Sequence, residues 1–370
     1  MYTIVNGARI YFDVDGEGLP PDGPEMREKP TVVMVHGGPG ADHTVSKPYF
    51  SQLTDIAQVV YYDHRGNGRS SGDDPKDWTL AQWGDDLRGL CDALGIERPI
   101  VVGTSFGGFV SLAYATQHAD HPAGLVLIST AAKVDFQEVY RAFERLGGPD
   151  IAKVAKEYWE APTDEGRALY RDRCMPLYQQ SKYAPSDWLS RILWRNATAL
   201  YFNGPNAEHG QMDFRDELGR IACPVLLMVG EDDPITPPVF SDTIATRLSE
   251  DLLTYHRFEN CGHGVVGDKP DDALRELRGF ILGTHAGGST PPNRAQLPCV
   301  EAAPKNRGPA KDVSRSVCAV CMTVSSGGSE SQFRQRATSQ GHPEADARLP
   351  VGNAQFPKRK RENYWRTLWK

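Results

Sequence analysis

The stretch Gly103-Thr104-Ser105-Phe106-Gly107-Gly108 decides the fold of this chain. It matches the pattern G-x-S-x-G, in which a nucleophilic serine stands at a sharp turn between a strand and a helix. The apolar run Ile100-Val101-Val102 precedes it, and a helix-like pattern from Phe109 to Ala115 follows. Glycines on both sides let the strand and helix backbones pass close together. The pattern therefore predicts that Ser105 projects its hydroxyl from the end of a buried strand.

Short glycine-rich patterns also occur in ordinary turns, so the rest of the chain has to support this interpretation. Over residues 1–283, short apolar runs alternate with helical stretches, which is typical of a doubly wound, mostly parallel α/β sheet. Asn6-Gly7 predicts the turn of an N-terminal β-hairpin. Further strands are expected at Thr31–Val35, Gln58–Tyr62, Ile100–Val102, Leu125–Ser129, Pro224–Val229 and Thr254–Phe258, and helices at Leu80–Leu94, Ser241–Leu248 and Asp271–Leu282.

The alternation is interrupted in the middle of the chain and ends before its C-terminus. Residues 133–216 are helical in pattern, rich in aromatic side chains and without a convincing strand, so we expect an inserted helical cap on a core made of residues 1–132 and 217–283. Residues 284–370 lose hydrophobic periodicity and are rich in Gly, Ser, Pro and Arg, which predicts a disordered basic tail. Within that tail, Cys318-Ala319-Val320-Cys321 lacks the further ligands of a zinc site and the βαβ context of a redox motif.

Composition excludes several classes of function. Hydrophobic residues make up 39% of the chain, and no run of about 18 apolar residues predicts a membrane span. The N-terminus lacks the pattern of a secretory signal. Seven scattered cysteines are typical of free thiols in a reducing compartment, so we expect a cytoplasmic protein. Lys and Arg outnumber Asp and Glu by 14 to 6 from Thr284 onward, which leaves an acidic body and gives no reason to expect nucleic-acid binding.

A serine nucleophile needs an adjacent base, and on such a turn the acid and the histidine follow the serine along the chain in that order. Three carboxylates, Glu231, Asp232 and Asp233, follow the predicted strand that ends at Val229. His263, flanked by Gly262 and Gly264, comes after the last predicted strand and before the last predicted helix, which makes it the candidate base.

An oxyanion hole needs backbone N–H groups that point at the developing negative charge. Phe106, the residue after the nucleophile, is expected to supply one of them. The other is assigned to Gly38 in the loop His36-Gly37-Gly38-Pro39-Gly40, with Gly37 as the alternative, and His36 is interpreted as a brace for this loop. The charged run Asp63–Ser70 is interpreted as a structural turn in which Asp63 and Arg65 hydrogen-bond nearby backbone.

These motifs together resemble the α/β-hydrolase superfamily, and within it the proline-iminopeptidase-like group. The resemblance covers residues 1–283 and is specific for fold and triad, much less for substrate. It implies that Asp233 is the acid of a Ser105–His263–Asp233 triad. The motifs that carry it are His36–Gly40, Asp63–Ser70, Gly103–Gly108, Gly230–Pro238 and Cys261–His263.

The group includes aminopeptidases that remove N-terminal proline, esterases and acyl-homoserine-lactone hydrolases. Its peptidases have Trp after the nucleophile, where this chain has Phe106, and their caps bind the substrate amine through acidic residues. The analogues in this chain are Glu157, Glu160, Glu208 and Asp213, without a motif that fixes one of them. Gly37, Trp159 and Glu160 are the candidate substrate-binding residues.

We therefore expect a serine hydrolase that cleaves carboxylic esters or lactones without a cofactor or metal. The alternative is a proline iminopeptidase with the same triad. Haloalkane dehalogenases and epoxide hydrolases are disfavoured because they place an aspartate where this chain has Ser105. A non-enzymatic relative that retains the triad stays open at this point. The expected partner is a small-molecule ester or lactone, and the expected state is a monomer or homodimer.

Overall fold

An eight-stranded sheet organises the chain, whose computed structural model describes residues 1–181 and 188–287. The strands are β1 Tyr2–Val5, β2 Ala8–Asp15, β3 Pro21–Asp22, β4 Glu25–Met26, β5 Thr31–Val35, β6 Gln58–Tyr62, β7 Ile100–Thr104, β8 Gly124–Ile128, β9 Val225–Gly230 and β10 Leu253–Phe258. The α-helices are α1 Leu80–Leu94, α2 Phe106–Gln117, α3 Phe136–Gly147, α4 Pro149–Glu160, α5 Asp164–Arg173, α6 Trp188–Arg191, α7 Asn196–Phe202, α8 Glu208–Gln211, α9 Pro238–Ala245, α10 Val265–Asp268 and α11 Pro270–Gly287.

The strand order is β1-β2-β6-β5-β7-β8-β9-β10, and every pairing from β6 to β10 is parallel. This confirms the predicted doubly wound, mostly parallel sheet. The predicted hairpin joins β1 and β2, and Asn6 and Gly7 both have positive φ, as a type I′ turn requires. A small ribbon of β3 and β4 was not predicted, because two-residue strands are too short to show a periodic pattern.

Alternate residues of the central strands feed two separate hydrophobic cores. In β5, Val33 and Val35 pack in one core, while Val32 and Met34 pack in the other. Both faces of the sheet are therefore buried, which explains why these strands are continuous apolar runs in the sequence. All six predicted strands are present, with ends that shift by at most two residues.

The helices differ from prediction mainly at their ends. Helix α1 matches its predicted bounds, and Thr79 caps its N-terminus by accepting a hydrogen bond from the Gln82 N–H. Helix α9 begins three residues earlier than predicted, because Pro238 is tolerated in the first turn of a helix, where no intrahelical N–H bond is lost.

Residues 133–216, which we call the cap, contain helices α3 to α8 in their described part. An isolated antiparallel bridge between Lys133 and Asp213 joins the two ends of this segment. No helix among the described residues is long and apolar enough to cross a membrane.

Helix α11 is longer than predicted and takes in the first four residues that the sequence assigned to the tail. Phe280 and Thr284 lie against Gly124 at the start of β8, so packing on the sheet stabilises this part of the helix. The remaining predicted tail, with Cys299, Cys318 and Cys321, lies outside the described residues.

Candidate active site

Ser105 occupies a strained turn between β7 and α2. Its φ of 56° and ψ of −121° are unusual for a residue with a side chain, and strain of this kind persists only where the surroundings enforce it. Here the Ser105 N–H donates to the Ile128 carbonyl at 2.9 Å, and the Thr130 hydroxyl donates to the Ser105 carbonyl at 2.9 Å. A Cβ at position 107 would collide with the Val35 carbonyl oxygen, so only glycine allows this close approach.

Asp233 and His263 meet at the carboxyl ends of β9 and β10. The Asp233 Oδ2 atom lies 2.8 Å from His263 Nδ1, and Asp233 is completely buried. Burial by itself would raise the pKa of Asp233, but the charge of His263 and the hydrogen bonds from His263 and Thr236 hold it below its usual value. The carboxylate is therefore kept ionised beside the imidazole, where it orients the ring.

Thr236 is a participant that the sequence reasoning missed. Its hydroxyl donates to Asp233 Oδ2 at 2.7 Å and lies 3.3 Å from His263 Nδ1. The N–H groups of Ile235 and Thr236 both donate to Asp233 Oδ1, at 2.8 and 2.9 Å. A hydroxyl residue three positions after the acid was the available signal, since such turns return to the carboxylate.

The two competing carboxylates point elsewhere. Asp232 Oδ1 accepts a hydrogen bond from Arg145 Nη1 at 3.1 Å, on helix α3 of the cap. Glu231 pairs with Arg257 of β10 at 2.7 Å. Of the three, only Asp233 reaches His263.

The glycine loop lies directly against the nucleophile. A Cβ at position 37 would stand 3.5 Å from Ser105 Cβ, and Gly38 has a φ of 142°, which side chains rarely permit. Neither the Gly38 N–H nor the Phe106 N–H has a hydrogen-bond acceptor among the described residues. Both groups are therefore available to a ligand, and the first N–H groups of a helix such as α2 have no intrahelical partner.

The run Asp63–Ser70 supports this loop from below. The Asn67 Oδ1 atom accepts from the Gly40 N–H at 2.6 Å, and the His64 N–H donates to His36 Nε2 at 3.2 Å. His36 thus braces the loop, as expected from the sequence. Arg65 differs from its expected role, because its main partner is the buried carboxylate of Asp86 rather than nearby backbone.

No hydrogen bond joins Ser105 to His263 within the described part of the chain. Such bonds are often long before substrate binds and tighten in the complex. Ser105 is half-buried at the edge of the sheet where β9 and β10 also end.

Aromatic side chains form a continuous arc from His263 to Phe106, the residue after Ser105, and we call it the aromatic arc. Neighbouring rings in it lie between 5.0 and 6.4 Å apart. In order, its members are His263, Tyr178, Tyr170, Trp159, His209, Phe202 and Phe106.

Two members of the arc have buried polar atoms without a partner among the described residues: Trp159 Nε1 and His209 Nδ1. His209 is 8% exposed and surrounded by Phe109, Phe136 and Phe202, and burial lowers its pKa to about 3. The sequence gives no sign of this enclosure, because His209 is an isolated histidine on a short helix.

The other predicted substrate-binding residues lie in different surroundings. Gly37 is beside Ser105, and Trp159 belongs to the arc, but Glu160 is exposed and lies 3.8 Å from Lys156. The remaining acidic candidates also have partners. Glu157 lies 3.8 Å from Lys153, Glu208 accepts from the Leu80 N–H at 2.8 Å, and Asp213 pairs with Arg215 and Lys133.

The cap is attached close to both halves of the site. On the oxyanion side, the Arg195 N–H donates to the Gly40 carbonyl at 2.7 Å, and the Thr198 hydroxyl donates to the Gly66 carbonyl at 2.7 Å. On the base side, the Gly264 N–H donates to the Tyr178 carbonyl at 3.0 Å.

Among the described residues, Asp42, His43 and Asp63 are close enough together to share a metal ion. Their ligand atoms are already used, because Asp63 Oδ1 lies 2.6 Å from His43 Nδ1 and Asp42 accepts from Arg69 at 2.7 Å. The cluster therefore fits a structural role for the loop that holds Asp63.

Comparison with known proteins places the chain in one fold family. The family model described as the alpha/beta hydrolase fold matches residues 30–270. A proline iminopeptidase of Thermoplasma volcanium is 26% identical, over 76% of this chain and 95% of that protein. A putative carbamate hydrolase of Caulobacter sp. is 30% identical, over 68% of this chain and 96% of that protein.

Solved structures include a thermophilic esterase from Thermogutta terrifontis that is 25% identical to this chain. It superposes with a TM-score of 0.58 and covers 77% of this chain and 97% of its own. The similar proteins thus carry the names of a peptidase, a carbamate hydrolase and an esterase.

Proposed function

Because the chain belongs to the α/β-hydrolase fold family and is similar to its proline-iminopeptidase-like group, it is a hydrolase, and we propose that it cleaves carboxylic esters or lactones through Ser105, His263 and Asp233. The family and fold predicted from the sequence are confirmed. The substrate class and the roles of the residues are the proposal.

The reaction follows from the positions of the groups. Ser105 Oγ attacks the carbonyl carbon while His263 Nε2 takes its proton. The Gly38 and Phe106 N–H groups bind the tetrahedral oxyanion. His263 then protonates the leaving alcohol oxygen, which gives an acyl-enzyme. A water molecule, deprotonated by His263, attacks the acyl carbon and releases the acid and Ser105. Asp233 stabilises the imidazolium in both steps.

The observation that carries the choice of substrate is the state of the acidic residues in the cap. A prolyl peptidase has to bind a cationic amine, for which an acidic side chain is needed beside the site. Glu157, Glu160, Glu208 and Asp213 are each engaged with Lys, Arg or a backbone N–H. The aromatic arc instead offers an apolar wall, which suits an acyl or alkoxy group.

A substrate panel tests this proposal. Purified protein is assayed with p-nitrophenyl acetate and butyrate, an N-acyl-homoserine lactone and prolyl-2-naphthylamide. We expect kcat/KM for an ester or the lactone to exceed that for the prolyl amide by at least about 100-fold, in line with removal of an amine anchor worth a few kcal/mol. A preference for the prolyl amide would overturn the proposal.

The same panel tests the alternative, a proline iminopeptidase, which the similarity to proteins of that name favours. Fluorophosphonate labelling of wild-type protein distinguishes an active nucleophile from a non-enzymatic relative. Failure to label Ser105 would contradict both enzymatic functions.

We also propose a reducing, cytoplasmic location. The four cysteines within the described residues, Cys91, Cys174, Cys223 and Cys261, are all free and buried. We further propose that the substrates are small molecules and that the reaction needs no cofactor.

A further inference from the structure

Helix α5 of the cap buries a positive charge without a counter-ion. Arg167 is only 7% exposed, yet its guanidinium forms no ion pair among the described residues, and its side-chain hydrogen-bond partner is the uncharged hydroxyl of Tyr158. Arg65, the other buried arginine among the described residues, is paired with Asp86 at 2.7 Å. An unpaired buried charge is costly, and arginine remains charged even where burial lowers its pKa, as it does here.

The guanidinium is held from several sides. It lies over the ring of Trp194, with its central carbon 5.5 Å from the ring centre, which fixes the plane of the group. The hydroxyls of Tyr158 and Tyr178 interact with its charge, and neither is a carboxylate. Packing therefore sets the position and orientation of the Arg167 guanidinium, while no carboxylate in the described part of the chain neutralises its charge.

This group stands at the rim of the candidate active site. Arg167 Nη2 lies 3.5 Å from the position that a Cβ of Gly40 would take, and Gly40 ends the loop that carries Gly38. Gly37 and Gly40 are three residues apart, so their Cα atoms are separated by at most about 11 Å. On the other side, the Tyr178 ring lies 5.0 Å from that of His263. Arg167 thus lies next to the glycine loop and interacts with Tyr178, whose ring contacts that of His263.

We infer that Arg167 binds a carboxylate of the substrate, so that the ester or lactone cleaved by this protein carries a free carboxylate a few bonds from the scissile carbonyl. This inference rests on the proposed function. A guanidinium binds a carboxylate through two parallel hydrogen bonds, and one buried positive charge matches one negative charge.

A pair of esters that differ only in charge tests the inference. Mono-p-nitrophenyl glutarate carries a free carboxylate, and methyl p-nitrophenyl glutarate is its neutral counterpart. We expect the wild-type protein to prefer the acid ester, and Arg167→Gln to lower the ratio of kcat/KM for acid to neutral ester by at least about tenfold, mainly through KM. Arg167→Lys should restore part of the ratio, since it keeps the charge without the planar fork.

Arg171→Gln is the matched control. Arg171 lies over the same Trp194 ring at 5.9 Å but is exposed, so its removal takes away an equal charge without touching the buried position. We expect the ratio to stay at the wild-type value. An equal fall in Arg171→Gln and Arg167→Gln would show a general effect of surface charge and would overturn the inference.

Two further measurements separate this inference from the proposed function and need no folded Arg167 variant. Glutarate and dimethyl glutarate are compared as inhibitors of the wild-type protein, and glutarate binding to Ser105→Ala is measured by calorimetry. Turnover of both esters without charge preference or glutarate inhibition would refute the role of Arg167 and leave the ester hydrolase standing. Glutarate binding without turnover of any ester would support Arg167 and refute the ester hydrolase.

Discussion

The Asp233–His263 pair and the interior of the cap differ in the hydrogen bonding of their buried polar atoms. Asp233 accepts four hydrogen bonds, two from backbone N–H groups, one from the Thr236 hydroxyl and one from His263. In the cap, Trp159 Nε1 and His209 Nδ1 are buried without partners among the described residues, and Arg167 is buried without a counter-ion.

The two regions differ in whether the protein itself supplies these hydrogen-bond partners before a substrate binds. The protein itself supplies all four hydrogen bonds to Asp233, so its carboxylate is oriented before any substrate arrives. The cap leaves polar atoms unsatisfied, which is costly in a folded protein unless something else completes them. If the proposed roles are correct, the core prepares the catalytic carboxylate, and the cap holds polar groups that a substrate could complete.

The largest expected effect comes from removing the nucleophile. Ser105→Ala should lower kcat/KM for p-nitrophenyl acetate by about 10⁴-fold or more, as loss of the serine does in other triads. The control is Ser249→Ala, an exposed serine just before the N-terminal end of β10, whereas His263 follows its C-terminal end, and this variant should keep wild-type rates. Wild-type turnover by a correctly folded Ser105→Ala protein would show that Ser105 is not the nucleophile.

Replacement of Asp233 and of its neighbour Asp232 tests which of the two carboxylates supports His263. Asp233→Asn should lower kcat by roughly 10³- to 10⁴-fold, because the amide favours the wrong tautomer of His263. Asp232→Asn makes the same chemical change one residue earlier, where the side chain meets Arg145, and should leave kcat within about threefold, as expected for an exposed pair. Equal losses in the two variants would contradict the assignment of Asp233.

A smaller effect is expected at Thr236. Thr236→Val removes the hydroxyl that donates to Asp233 and should cost about 1–2 kcal/mol, or a five- to thirtyfold loss in kcat. Thr236→Ser keeps the hydroxyl and should recover most of the rate. Stopped assays with p-nitrophenyl acetate measure both, and a Val variant as active as the Ser variant would show that the hydroxyl is dispensable.

The mildest prediction concerns stability in the cap. His209 has its folded pKa lowered to about 3 by burial, so the unfolded chain takes up a proton first as the pH falls below about 6.5. The wild-type protein should therefore lose stability between pH 6.5 and pH 3, with a slope of up to about 1.4 kcal/mol per pH unit.

His209→Phe keeps an aromatic ring in the arc and should flatten that slope, as seen in urea unfolding at several pH values. His285→Gln, at an exposed position in α11, is the control and should keep the wild-type slope. Identical slopes in wild type and His209→Phe would mean that His209 is not buried as a neutral ring.

How far the candidate residues could be predicted from the sequence depends on how local their signals are. Ser105, Asp233 and His263 each follow a buried strand, and such strands are visible as apolar runs, so order and position along the chain were enough to select them. Thr236 could have been predicted by the same local reasoning, because a hydroxyl residue three positions after an acid commonly returns to its carboxylate.

Arg167 was beyond sequence reasoning for a physical reason. In the sequence it stands among Asp164, Glu165 and Arg171, as a solvated arginine would. Its burial is decided by Trp194 and Gly40, which come from a later cap segment and from the glycine loop. Contacts between segments so far apart have no periodic signature.

The hydrogen bond from Arg195 to the Gly40 carbonyl and that from Gly264 to the Tyr178 carbonyl bear on protein engineering. Because the cap is fastened to the oxyanion loop at one side and to the histidine loop at the other, it is not an interchangeable module. A chimera that takes its cap from a relative would inherit new specificity only if the donor segment reproduced both attachments. Otherwise the graft would alter the reaction rate together with the preference.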